Sequence, residues 1–158
     1  MQLAFPDGAD LAERVRTAGA IKEAGFAPVP IIAARRLRSQ RMFREYLATL
    51  QEAGASESVP VVAGDPAPPQ GPYPDAATVI GLGLLEQHGV RQASVAGHPG
   101  GHPAVAGSAL RAALAAKTAA LRRRRLGGDV ITQFGFDAAR VLASLTEVRA
   151  RGIACRCG

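Results

Sequence analysis

The sequence predicts an α/β fold built from five repeated strand-and-helix units, and three observations predict it. Five short apolar runs, at residues 2–5, 29–33, 59–63, 92–96 and 129–133, read as buried strands. Their starts recur about every 30 residues, the length of a strand, a crossover helix and two loops. Between the runs, apolar residues recur at helical spacing, and a glycine stands just past each such stretch, where a left-handed stop is wanted.

The elements follow in order. Run 2–5 is followed by Leu11, Val15 and Ala18 on one helical face, with Asp10 ahead to accept from an orphan N–H and Gly25 behind. Run 29–33 leads to Ser39 and then Phe43, Tyr46, Leu47 and Leu50, stopped at Gly54. Run 59–63 precedes Asp75, the face of Val79, Ile80 and Leu84, and Gly89. Run 92–96 precedes a helix over 107–125 that stops at Gly127. Run 129–133 precedes Asp137 and the face of Val141, Leu142, Leu145 and Val148, with Gly152 as the stop and a further strand beginning at Ile153.

Parallel units of this kind form either an open doubly wound sheet or part of a (β/α)8 TIM barrel. A doubly wound sheet gathers its chemistry at one switch point, whereas a barrel brings the C-terminal end of every strand to one rim. Here unusual residues follow several successive strands: Gly64-Asp65-Pro66, then the 97–103 segment GHPGGHP, then Gln133-Phe134. No Gly-x-Gly-x-x-Gly follows a strand, and Gly81-Leu82-Gly83 lies inside a helical stretch without the third glycine. This distribution predicts a (βα)5 portion of a TIM barrel, a single partial domain over 1–158. A chain of 158 residues is well short of the roughly 250 of a closed barrel.

Composition excludes several classes. Hydrophobic residues make up 47% of the chain and the mean hydropathy is +0.07, too apolar for an intrinsically disordered protein. No apolar stretch reaches the ~18 residues of a membrane span, and neither a basic nor an apolar leader follows Met1, so a cytoplasmic protein is expected. The net charge is +6, yet nucleic-acid binding calls for a broad basic face interleaved with aromatics, and only 4% of residues are aromatic. The four-arginine run 122–125 reads first as cations at a helix C-terminus, each stabilising it by roughly 0.3–1 kcal/mol. Cys155 and Cys157 are too close in sequence to staple a fold and have no second ligand pair nearby.

Four features are candidates for chemistry. Gly64 lets a ligand approach the backbone and Pro66 fixes the exit, so Asp65 is presented in a rigid frame; a turn aspartate bonded to its own backbone fits equally well. His98 and His102 stand four apart, but the prolines and glycines of 97–103 disfavour the helix a metal pair would need. That loop is better suited to line a cofactor pocket, with a solvated histidine as the plain alternative for His102. Lys117, one of only two lysines in the chain, could reach a pyrophosphate or simply face water. Gln133 ends a strand with an amide that both donates and accepts, suited to a flat heterocycle, with Phe134 and Phe136 as apolar walls; an end-of-strand glutamine facing water is the plain alternative.

Three segments, in order and on successive strands, resemble methylenetetrahydrofolate reductase: Val62-Ala63-Gly64-Asp65-Pro66, Val95-Ala96-Gly97-His98-Pro99-Gly100-Gly101-His102-Pro103, and Val130-Ile131-Thr132-Gln133-Phe134-Gly135-Phe136-Asp137. The likeness also takes in Lys22-Glu23-Ala24-Gly25-Phe26-Ala27-Pro28-Val29-Pro30 and runs from the second strand to the sixth helix of a family barrel. The resemblance implies an FAD-dependent oxidoreductase of one-carbon metabolism. In it NAD(P)H reduces the flavin, which passes hydride to 5,10-methylenetetrahydrofolate to give 5-methyltetrahydrofolate. It implies that Asp65 stabilises the positive charge developing on the folate iminium and that Gln133 holds the pterin. Flavin contacts are implied for Val62, Ala63, Gly64 and Asp65, and for Tyr73, Ala96, His98, His102, Lys117 and Ile131.

Ala4, Ile31, Ala63 and His98 depart from the family, which usually carries Thr, His, Arg and Tyr there, so each position loses a donor or a ring. The family's proton-donating glutamate lies on the first barrel strand, ahead of where the likeness begins, so weak or absent turnover is expected of these five units. Two unpaired barrel edges invite association with another chain, and a homo-oligomer is among the expectations. A reading from a different class is a non-catalytic βα binding domain that turns the 122–125 arginines toward an anionic partner.

Overall fold

The computed structural model describes residues 1–133 and 137–150. These form strands β1 (Gln2–Leu3), β2 (Val29–Pro30), β3 (Ile32–Ala33), β4 (Ser58–Val62), β5 (Gln92–Gly97) and β6 (Val130–Thr132). The helices are α1 (Leu11–Glu23), α2 (Gln40–Glu52), α3 (Ala76–Gly81), α4 (Leu84–Gln87), α5 (Gly107–Arg124) and α6 (Ala138–Ala150). Every pairing of these strands is parallel. The architecture is α/β, as the repeat predicts.

The strand predicted over 29–33 is divided. Pro30 has no N–H to give to a ladder, so β2 pairs with β1, while β3, one residue further on, pairs with β4. Ile31 joins the two halves: its N–H donates to the Leu3 carbonyl at 3.0 Å, and its carbonyl accepts from Arg14 Nη2 at 2.8 Å. The strands thus form a two-stranded sheet, β1-β2, and a four-stranded sheet, β3-β4-β5-β6, joined at Ile31, and in each the neighbours follow sequence order among the described residues. The outermost strands, β1 and β6, are shorter than their apolar runs suggest.

Ile32, Val61, Val95 and Val130 are register partners across the sheet and all are buried. Phe43, Leu47 and Leu50 of α2, with Val79 and Ile80 of α3 and Leu84 and Leu85 of α4, belong to the same core cluster. Four helix starts are capped by the expected residues. Asp10, Ser39 and Asp75 accept from the N–H groups of Ala12, Met42 and Thr78, and Asp137 accepts from that of Arg140. Gly25, Gly54 and Gly89 take the left-handed conformation expected of helix stops.

Two expectations are corrected. The helix expected between runs 59–63 and 92–96 is two short helices, broken at Gly83, which has φ 79°. A Cβ there would collide with the guanidinium of Arg124, whose Nε pairs with Glu86 Oε1 at 2.6 Å. The stop of α5 is Arg125, φ 55°, rather than Gly127. Gly127 is used instead for close backbone approach: its N–H donates to Arg91 O at 3.0 Å and its carbonyl accepts from Ala93 N at 2.8 Å. The stop at Gly152 and the strand from Ile153 lie outside the described residues.

Candidate functional site

Parallel strands in sequence order carry their C-terminal ends to one side, where the segments that follow β1, β3, β4 and β5 lie with Gln133 at the end of β6. One residue beyond the buried valine row, side chains alternate to the opposite sheet face. Ala33 pairs with Val62 in this second row, and Ala96 with Ile131. Val62 and Ala96 are half-buried and Ile131 is 41% exposed, so the row is an apolar surface that opens toward β6.

At the end of β4, Gly64 adopts φ +86°, a conformation that favours glycine, and a Cβ there would stand 3.3 Å from that of Ala33. The bend presents Asp65 with its side chain entirely in solvent. Arg36, which follows β3 and is itself only 11% exposed, reaches two strand ends at once: Nη1 lies 2.6 Å from Asp7 Oδ1 and Nη2 lies 3.9 Å from Asp65 Oδ2. Arg35 clamps the same loop. Its N–H donates to Ala63 O, its carbonyl accepts from Gln70 N, and its Nε donates to Pro74 O, each at 2.8 Å. Sequence reasoning passed over both arginines; the available signal was a cation pair placed directly after a buried strand.

At the end of β5, Lys117 reaches back from α5 and donates from Nζ to the Ala96 carbonyl at 2.6 Å. Burial lowers its pKa, and the Asp75 carboxylate partly opposes that shift. His98 also has a lowered pKa, first through burial and then through the charges of Lys117 and His102. The 97–103 segment forms turns rather than a helix, as its prolines predict, and the two imidazoles meet edge-on with centroids 5.8 Å apart. His102 is exposed, and its Nδ1 accepts from Ala104 N at 3.2 Å, which leaves Nε2 as the protonated nitrogen of the neutral ring.

The structure therefore brings Val62, Ala63, Gly64, Asp65, Ala96, His98, Ile131 and Gln133 to one end of the sheet, with Lys117 pinned at the β5 terminus. Gln133 donates its N–H to Gly97 O at 3.1 Å and leaves its side chain exposed. Tyr73 stands apart from this group. It is 4% exposed and packs edge-on against Phe43 in the core, with centroids 6.5 Å apart. Phe134 and Phe136 lie outside the described residues.

Beside this end, a cavity of about 400 Å³ lies between the β5 terminus, α5 and α6, with Ala96, His98, Leu114, Arg111 and Arg140 in its wall. Among the described residues no cluster of three His, Cys, Asp or Glu could hold a metal, and no helix is long and apolar enough to cross a membrane. No protein-family model matches the chain.

Proposed function

We propose that the chain is the flavin- and folate-binding portion of a TIM-barrel oxidoreductase like methylenetetrahydrofolate reductase, cytoplasmic, using FAD and NAD(P)H to reduce 5,10-methylenetetrahydrofolate. The observation that carries the reading is the strand order: among the described residues, neighbours run in sequence order within the β1–β2 pair and within the β3–β6 sheet, as barrel strands do. The described residues of the three motif segments, 62–66, 95–103 and 130–133, then lie at strand ends on one side of the fold.

The residues fit the cofactor by their chemistry. The row of Val62, Ala96 and Ile131 offers an apolar shelf to a flat ring, and Gly64 permits close approach to the backbone. Lys117 brings a cation to the β5 end, where a pyrophosphate would find a donor. The chemistry a bound FAD supplies is hydride acceptance from the nicotinamide and hydride delivery to the folate. Asp65, exposed and held near Arg36, offers a carboxylate to the cationic iminium carbon–nitrogen unit of the folate. Gln133 can donate and accept at once along the pterin edge, fixing the ring's orientation.

The test is a titration of FAD with the full chain. Saturable quenching of flavin fluorescence is expected, together with weak FAD-dependent electron transfer from NAD(P)H to menadione. Flavin fluorescence that stays unchanged in excess protein overturns the reading.

A further inference from the structure

At the opposite end of the strands from the candidate site, a hollow of about 290 Å³ lies between the C-terminal ends of α1 and α2 and the starts of β2, β4 and β5. Phe26 stands in its wall and is 58% exposed, whereas every other described Phe and Tyr is buried or half-buried. The backbone fixes where this ring starts. Gly25, with φ 84°, donates its N–H to Lys22 O at 2.9 Å, and Phe26 donates its N–H to Ile21 O at 3.1 Å. These are the two bonds of a Schellman helix stop. The segment that presents the ring is thus already ordered, which lowers the entropic cost of a contact made through it.

The rest of the hollow decides what fills it. Ala27, Pro28, Val29 and Ala55 give it apolar walls. A cavity of roughly 150 Å³ accepts a benzene ring, so there is room here for a phenyl side chain. A projecting ring beside a hollow that fits it is self-complementary: about a two-fold axis, each ring enters the other copy's hollow. The charges on the patch have the same property. Lys22 lines the hollow and uses one Nζ donor on Gly54 O at 2.9 Å, which leaves two. Glu57 also lines it, is exposed, and makes no side-chain hydrogen bond or ion pair among the described residues. A uniformly acidic or basic partner would meet a like charge at one of these two residues, whereas a second copy offers each its opposite.

We propose that this hollow is the interface of a symmetric dimer, in which it receives the partner's Phe26 while Lys22 pairs with the partner's Glu57. The contact does not depend on flavin binding, because it lies where the strands begin and the flavin residues lie where they end. It also leaves the sheet edges at β1 and β6 unused.

The experiment is sedimentation velocity of the full chain from low to high micromolar concentration at low salt. A reversible monomer–dimer equilibrium is expected. F26S is expected to weaken it at least about tenfold, while the melting temperature holds because the side chain is mostly in solvent. K22E and E57K are each expected to weaken it severalfold, and the K22E/E57K double variant to recover it, since the swap restores both pairs across the axis. L142S removes a comparably exposed apolar side chain, 63% in solvent on α6, and is expected to leave the equilibrium unchanged. If F26S loses its fold, E57K and the charge-swapped variant carry the test alone. A chain that stays monomeric throughout, a dimer that F26S leaves intact or that L142S weakens equally, or a charge-swapped variant that associates no better than the single ones overturns the proposal.

Discussion

Arg14 donates from Nε to the Tyr46 hydroxyl at 3.1 Å inside the core, which joins a buried cation to a neutral phenol. The same guanidinium bonds the Ile31 carbonyl at 2.8 Å and lies 4.3 Å from the Phe5 ring centroid. It therefore ties α1 to α2 and to the residue that joins β2 and β3. Removing the hydroxyl alone strands a buried donor, so Tyr46→Phe is expected to cost about 1–2 kcal/mol, read from urea unfolding midpoints. An unchanged midpoint would contradict this account of the joint.

The same pair sets an alkaline limit. Burial raises the Tyr46 pKa, and the Arg14 charge partly opposes the rise. A group whose folded pKa is raised contributes stability that is complete below its unfolded value, here 10.0, and lost as pH climbs through the folded one. Stability should accordingly fall above pH 10, and Tyr46→Phe should flatten that fall in thermal melts across the alkaline range.

His98 works in the opposite sense. Its folded pKa lies below 6.5, so its contribution is present above that value and is lost as pH falls through the folded one. Melting temperatures of the wild type should decline on acidification below pH 6.5, and those of His98→Asn should decline less. Parallel declines in the two proteins would place the acid sensitivity elsewhere.

Arg125 is the only non-glycine residue with positive φ among the described residues. A side chain there carries backbone strain that glycine does not, so Arg125→Gly is expected to stabilise the protein by roughly 1 kcal/mol, measured by chemical denaturation. The gain should survive high salt, because its origin is conformational and not electrostatic.

Much of this architecture was legible because single residues carried local rules. Asp10, Ser39 and Asp75 announced helix starts, and β4 and β5 lie within about a residue of their apolar runs, since alternation between helix-packed and open faces fixes a central strand. What escaped were outcomes decided by distant partners. Pro30 sits in an apolar run that looks continuous, and only pairing to different neighbours on either side of Ile31 divides it. Gly127 has the right spacing for a helix stop, but contact with Arg91 and Ala93 claims its backbone. Arg36, Arg111 and Arg140 belong to unremarkable charged stretches in one dimension and gain meaning from the strand end and the cavity they reach. Tyr73 is a flavin contact only by family resemblance, and its packing against Phe43 in the core is not legible from the residues around it.

The bend before Asp65 depends on Gly64. With φ at +86° and Ala33 Cβ 3.3 Å from the site of a new methyl, Gly64→Ala is expected to cost about 1–2 kcal/mol and to shift the following loop. If the site reading holds, FAD quenching by this variant should weaken with its fold intact by circular dichroism.

The central claim is that a flavin lies along the strand-end row of Val62, Ala96 and Ile131. Its most direct test is the FAD binding curve of Ile131→Asp against that of the wild type. The substituted side chain is already partly in solvent and should leave the melting temperature nearly unchanged. The account predicts one FAD per wild-type chain and an affinity lower by about tenfold or more in the variant, because a carboxylate on the row must be desolvated beneath the ring. Equal FAD affinity in the two proteins, or no binding by either, would contradict it.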